Sequence, residues 1–369
     1  MKKTLVAIAA LAATSAFAQF TIDGQYDAGY QSLKYKGSSI TGFAGNGSTT
    51  SQINFRGTEN LGGGMTARFR VETDWNTTSN WANTGVKNAD GTLAAGSTFG
   101  NGEVRGGIAG GFGAIDIGAV NNSGLTAFLT GQPYGTAIGS SFRGLFINDT
   151  SGANAVRFEN SARYTTPTFS GFSGTLLKVN KQTVATSSNF STTFGAFDYM
   201  GVSEYSLNYN NGPINATYSS IKQDYDGVGL TSAAGVTTAQ AFTTKLNTFG
   251  ANYALNPSTK LFLLNQTRTK SDGSVDRSAT TVSVSYTMGA NVFTAQTGSG
   301  KDSGKSGNGQ NSKLTSFGYD YNLSKMSSVY VRYENTKDDG GWVANAGTIP
   351  TVAGDTTRTR TALGLRIGF

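Results

Sequence analysis

Five tyrosines, Tyr164, Tyr209, Tyr253, Tyr286 and Tyr321, each end a stretch of alternating polarity and each stand just ahead of a short turn. The turns that follow are Pro167-Thr-Phe-Ser-Gly171, Asn210-Asn-Gly-Pro213, Leu255-Asn-Pro-Ser258, Thr287-Met-Gly-Ala290 and Asn322-Leu-Ser-Lys325. Asn60-Leu-Gly-Gly-Gly64 and Gly110-Gly-Phe-Gly113 complete a set of seven. A membrane interface demands an amphipathic ring at one end of successive hairpins, because tyrosine puts its body among acyl chains and its hydroxyl among headgroups. Nothing in a soluble sheet ties an aromatic residue to the same end of every hairpin. The pattern predicts an all-β chain, a transmembrane β-barrel.

Both ends of the chain agree. Lys2 and Lys3 precede an apolar run from Leu5 to Ala13 and an Ala16-Phe-Ala18 site, the plan of a cleaved secretory signal peptide over 1–18. The barrel then occupies 19–369, beginning at Gln19. At the other end, Thr361, Leu363, Leu365, Ile367 and Phe369 share one face of a strand, while Ala362, Gly364, Arg366 and Gly368 share the other. This end resembles the terminal strand by which bacterial outer-membrane proteins are recognised for assembly, with a final Phe as its mark. That resemblance implies the barrel-assembly machinery as a partner.

Between the seven turns lie longer Gly/Ser/Asn-rich segments near 36–50, 76–101, 121–155, 181–199, 224–242, 271–276, 300–312 and 337–355. Seven turns and eight loops connect 16 antiparallel strands, with both termini on the short-turn side. In the first strand Phe20, Ile22, Gly24, Tyr26, Ala28 and Tyr30 oppose Asp23, Gln25 and Asp27; in the third, Met65, Ala67, Phe69 and Val71 oppose Arg68, Arg70, Glu72 and Asp74. The apolar faces look at lipid and the charged faces line a wet lumen. At this strand number the lumen is an aqueous channel.

Composition excludes several alternatives. The chain contains no cysteine, so no disulfide holds it, and no histidine, which removes a Ser-His-Asp triad and histidine metal sites. Setting aside Lys2 and Lys3, 27 basic residues stand against 22 acidic ones, a charge of about +5. No basic run accompanies it, so no nucleic-acid partner is expected. No cofactor is implied; a structural calcium on loop carboxylates is left open.

Ser51-Gln-Ile-Asn-Phe-Arg-Gly-Thr-Glu-Asn-Leu-Gly-Gly-Gly-Met-Thr-Ala-Arg-Phe69 resembles the second strand, first turn and third strand of the trimeric general porins of β-proteobacteria. Gly110 to Gly118, Arg157 to Pro167 and Tyr319 to Lys325 match in the same order. The resemblance implies a homotrimer in outer-membrane lipid and lipopolysaccharide, one channel per subunit, and a third loop folded into the lumen. That loop, near 121–155, carries Asp149 as its only acid, with Arg143, and Phe128, Tyr134, Phe142 and Phe146 to pack on the wall. Ala119 and Gln52 stand where such porins often carry basic residues, so the family's arginine cluster does not transfer at these two points.

Strand parity points Arg56, Arg68, Arg70, Arg105, Arg157, Arg163, Arg358, Arg360 and Arg366 into the lumen, together with Asp23, Asp27, Glu72, Asp74, Glu103 and Asp116. Arg70, Arg105 and Arg360 are placed nearest mid-height. The expectation is arginines paired at the wall with a modest basic surplus facing solute, hence passive diffusion of small hydrophilic solutes with mild preference for inorganic and organic anions. The alternatives are a channel preferring particular carboxylates or phosphate and, with less support, an outer-membrane barrel enzyme.

Overall fold

The computed structural model describes residues 19–35, 38–78, 99–141, 145, 156–180, 200–225, 231–232, 235–236, 241–305, 310–338 and 357–369. The strands are β1 (Gln19–Tyr35), β2 (Ser38–Gly45), β3 (Gln52–Gly62), β4 (Met65–Asp74), β5 (Val104–Gly110), β6 (Gly113–Asn121), β7 (Arg157–Thr165), β8 (Phe172–Val179), β9 (Met200–Asn211) and β10 (Ile214–Tyr225). They continue with β11 (Thr231–Ser232), β12 (Gly235–Val236), β13 (Phe242–Asn256), β14 (Thr259–Lys270), β15 (Asp276–Met288), β16 (Asn291–Asp302), β17 (Gln310–Asn322), β18 (Ser327–Asp338) and β19 (Thr357–Gly368). One helix, α1 (Ser123–Thr130), follows β6.

Each long strand pairs antiparallel with its neighbours, and β1 pairs with β19 from Gln25↔Gly368 to Tyr35↔Arg358, which closes the sheet. Closure leaves no edge whose backbone groups hydrocarbon would strand. The minor hairpin β11–β12 sits in the loop between β10 and β13, which pair directly with each other. β1 pairs through Gln19–Gln25 with β3 and through Ala28–Tyr35 with β2. Thus β2 and β3 together form one barrel strand, and the barrel has 16. The first long loop expected over 36–50 is corrected here: 38–45 is strand, paired along β1. Its Ser-Ser-Ile-Thr-Gly-Phe-Ala-Gly sequence is too rich in small residues to show alternation.

The short turns are built as their residues require. Gly212, at φ 57°, precedes Pro213 between β9 and β10, the positive-φ first position that a type II′ hairpin turn reserves for glycine. At the seam the terminal residue takes part in the sheet: Phe369 N–H donates to the Gly24 carbonyl at 3.1 Å, and Gly24 N–H donates back at 3.0 Å. The Phe369 ring covers Gly24 so closely that a Cβ there would come within 2.7 Å of Cζ.

The outer surface is apolar where lipid would lie, with Phe317, Val331 and Leu363 exposed on adjacent strands. Tyr253, Tyr286 and Tyr321 are exposed on the outward face beside the short turns; Tyr164 and Tyr209 occupy equivalent outward positions. Tyr164 donates its hydroxyl to the Phe112 carbonyl across the adjacent turn, at 2.7 Å.

Candidate functional site

The inner wall is divided by chemistry. On β6–β10 and β13 the inward side chains include Val120, Phe158, Leu177, Val179, Val202, Ile221 and Leu246, one buried cluster. On β3–β7 they are mainly arginines and carboxylates. Register puts Arg56 opposite Arg70 and Arg70 opposite Arg105, a rung of three guanidinium groups across three strands.

These arginines share buried carboxylates. Asp116 accepts from Arg68 Nε at 3.0 Å and Nη2 at 2.8 Å, from Arg105 Nη1 at 2.7 Å and from Arg163 Nη2 at 3.0 Å. Glu103 takes Arg70 at 2.8 Å and Arg105 at 3.4 Å, with Arg163 4.0 Å away. Glu72 pairs with Arg70 and, at 3.5 Å, with Arg157. Five arginines thus meet three carboxylates. Arg56 pairs with Asp23 at 2.6 Å beside this network.

A second group lies on β18 and β19, where Arg358 at 3.0 Å and Arg360, through Nε at 2.9 Å, converge on Glu334. Burying a carboxylate without partners would cost several kcal/mol, and each of these buried acids has charged donors on it.

Exposure decides what the lumen sees. In the larger network Asp116 is fully covered while the side chain of its partner Arg68 is 29% exposed, and Glu103 shows 4% against 16% for Arg70. The same order holds in every pair of both groups, so the carboxylates lie behind and the guanidinium groups in front. Arg332 with Asp320, on β18 and β17, reverses it slightly.

The third loop lies against the inner wall. α1 is capped by Asn122, whose Oδ1 accepts from Leu125 N–H at 2.9 Å, and by Glu204 of β9, which accepts from Ser123 N–H at 2.7 Å and Gly124 N–H at 3.1 Å. A carboxylate at the positive end of a helix is favourable. Gly250 makes the close approach of helix to wall possible: a Cβ there would collide with the Ala127 carbonyl. Phe128 and Leu145 join Leu264, Ala279 and Leu314 in a buried cluster, and Tyr134 is buried against Gly318. Gly139 N–H donates to Glu334 at 2.9 Å, and Gln296 donates to the Gly139 carbonyl at 3.1 Å. The loop therefore sits on the apolar part of the wall and reaches across to the second arginine group. Arg143, Asp149, Phe142 and Phe146 lie outside the described residues.

Two of the acidic residues expected to pair with arginine do not. Asp27 faces inward as parity requires, but it is fully buried and accepts from Gly47, Ser48 and Thr49 N–H at 3.1, 2.7 and 2.8 Å and from the Tyr330 hydroxyl at 2.6 Å. The reason is the inward fold of 46–51 between β2 and β3, which needs an acceptor for its backbone donors. Arg366, opposite Asp27 in register, makes no ion pair among the described residues. Asp74, at the end of β4, likewise has no arginine in ion-pair range among them. The inturn meets the third loop, with Ile138 N–H on the Gly47 carbonyl at 3.3 Å and the Thr50 and Thr136 hydroxyls 2.8 Å apart.

Glu204, Asp320 and Arg277 with Asp302 (2.6 Å) are inward charges that the sequence reading did not single out. Strand parity, the signal that located the other arginines, applies to these positions equally.

A closed, wide barrel with charged inner strands and an apolar outer band defines an outer-membrane channel protein. The model of the Gram-negative porin family matches residues 4–341, and the chain belongs to that family. It is 28% identical over 345 residues to outer membrane porin protein 32 of Delftia acidovorans, covering 89% of this chain and 88% of that one. Among solved structures, the anion-selective porin from Comamonas acidovorans superposes with a TM-score of 0.73 at 22% identity, covering 96% of this chain and 100% of that one. The OmpT protein of Vibrio cholerae in its trimer form gives 0.64 at 11% identity, over 95% of this chain and 99% of that one. The protein is an integral outer-membrane porin, and its family and fold point to a channel rather than an enzyme.

Proposed function

We propose that this porin is an anion-preferring diffusion channel, narrowed where the third loop faces the arginine wall. The observation that carries the reading is the layering of charge: carboxylates buried, guanidinium groups toward water. A solute passing the wall meets fixed positive charge on a low-dielectric surface, which raises local anion concentration. Guanidinium suits the task because it stays charged and is more weakly hydrated than ammonium. The related fold of a porin described as anion-selective agrees in direction.

The working unit is a homotrimer, each subunit with its own channel, and a solved relative described as a trimer supports it. The mature chain starts at Gln19 after removal of 1–18, and Phe369 serves as the assembly signal. Reversal potentials across a KCl gradient in planar bilayers test the selectivity. A chloride-favouring potential that weakens at high salt supports the reading, and cation selectivity refutes it. The rung Arg56–Arg70–Arg105 favours a second reading, retention of particular carboxylates or phosphate, which would show as saturable conductance.

A further inference from the structure

Where β2 gives way to β3 the chain carries more residues than the sheet can hold. Gln25 pairs with Gln52 and Ala28 with Gly45, so two residues of β1, Tyr26 and Asp27, face the six of 46–51. The surplus leaves the sheet toward the lumen. Asn46 starts the excursion at φ 61°, in the left-handed region that asparagine tolerates. Its Oδ1 closes the neck by accepting from Ser51 N–H at 2.7 Å.

This inward fold is fastened to the wall behind it and to the third loop in front. Asp27 holds its backbone: Oδ1 accepts from Gly47 N–H and the Tyr330 hydroxyl, and Oδ2 from Ser48 and Thr49 N–H. Arg332 Nη2 donates to the Ser48 hydroxyl at 2.7 Å. In front, the Gly47 carbonyl accepts from Ile138 N–H, and the Thr50 hydroxyl meets that of Thr136. Tyr330, whose hydroxyl is on Asp27, shares one buried cluster with Ile138 and Ala362.

The third loop is thereby tied at two places. Its near end, α1, is seated through Glu204 and the close approach at Gly250. Its far end, 134–140, rests on the inward fold and, through Gly139, on Glu334 and Gln296. Thr49, Thr50 and Thr136 are half-buried, so the junction borders the lumen. A segment released at one end opens locally at low cost, while one tied at both ends does not.

We propose that the inward fold of 46–51, held by Asp27, is a second jaw of the constriction that fixes the far end of the third loop and so keeps the aperture constant. Asp27 is fully buried and acts through the backbone it holds, as a positioning residue. The proposal rests on the reading that the third loop narrows the channel, and it is independent of charge selectivity. Asparagine at 27 keeps one acceptor oxygen but turns an amide NH2 toward backbone donors. At least one of the three N–H groups then loses its partner.

The test records single-channel currents in planar bilayers from wild type, D27N, T50C/T136C and D27N/T50C/T136C, after copper–phenanthroline and again after dithiothreitol. The chain has no cysteine of its own, so loss of thiol labelling in the folded protein reports the one disulfide these substitutions allow. D27N should spend at least about tenfold more time in sub-conductance states than wild type, the factor carried by one lost hydrogen bond to a charged group. Closing the disulfide in D27N/T50C/T136C should restore uniform openings and reduction should bring the transitions back, a rescue that a merely structural role would not give. Should D27N fail to fold, T50C/T136C decides alone, with transitions when reduced and none when oxidised. The proposal is overturned if no disulfide forms in the folded protein, if D27N opens as uniformly as wild type, or if the transitions persist with the disulfide closed. In each of those cases a lowered conductance of G250A leaves the narrowing by the third loop standing, and an unchanged one removes that reading too. Reversal potentials on the same membranes report anion preference separately.

Discussion

Replacing Arg70 and Arg105 by glutamine removes two positive charges from a network in which five arginines face three carboxylates, so its surplus falls from two charges to none. One unit charge about 6 Å from a monovalent ion in water contributes about 0.7 kcal/mol before screening. With a Debye length of about 10 Å at 0.1 M salt this becomes about 0.4 kcal/mol, or about 0.8 kcal/mol for two charges. The anion gains what the cation loses, so chloride is favoured over potassium by about ten- to fifteen-fold. At 1 M salt, with a Debye length of about 3 Å, the same charges leave a preference of about two-fold. Reversal potentials in planar bilayers should follow both figures for wild type, and R70Q/R105Q should sit near a ratio of about one at either salt. Glu72 and Glu103 keep Arg157 and Arg163 nearby in the variant, so the network is diluted and not emptied. A double variant with undiminished chloride preference would refute the assignment of selectivity to this wall.

Three further outcomes are expected. G250A should push α1 off the wall toward the lumen and lower the single-channel conductance; a wild-type conductance would show that the close approach to Ala127 does not set the aperture. E204A removes the acceptor of two backbone donors and of the Ser219 hydroxyl, a loss of about 1–3 kcal/mol at the start of the third loop. Proteases should then cut within 122–155 more readily in the folded protein, and unchanged resistance would count against Glu204 as the anchor. Deleting Phe369 removes both seam hydrogen bonds to Gly24 and the ring that covers it, so the heat-modifiable folded band should diminish in outer-membrane fractions. A normal folded yield would show that the terminal aromatic residue is dispensable for assembly.

Much of the architecture is written in local alternation. A pleated strand sends successive side chains to opposite faces whatever its partners, so Arg56, Arg68 and Arg70 had to share one face and Tyr253 or Tyr321 the other. The glycine- and proline-marked turns delimit the hairpins, and from them the count of 16 strands follows. Alternation fails at 38–45, where small residues blur it, and the strand there becomes visible only through its pairing with β1.

Partnerships between inward groups are a different matter. Arg68 meets Asp116 across 48 positions, and Tyr330 meets Asp27 across 303, because closure of the barrel and the register of each strand bring them level. Asp27 carries the same parity as Asp23, yet one pairs with an arginine and the other holds the inward fold of 46–51. The seat of the third loop is likewise assembled from several strands, each supplying one or two apolar residues too sparse to be noticed in its own segment. Side-chain direction is a property of a single strand and follows from the sequence wherever no bulge intervenes. In β7 the bulge at Asn160 turns Phe158 inward along with Ser161 and Arg163, which takes Arg157 off the parity expected for it, and only its long side chain reaches Glu72. Depth, pairing and the layering of arginine over carboxylate are properties of the closed sheet, because they depend on which strands stand side by side and at what stagger.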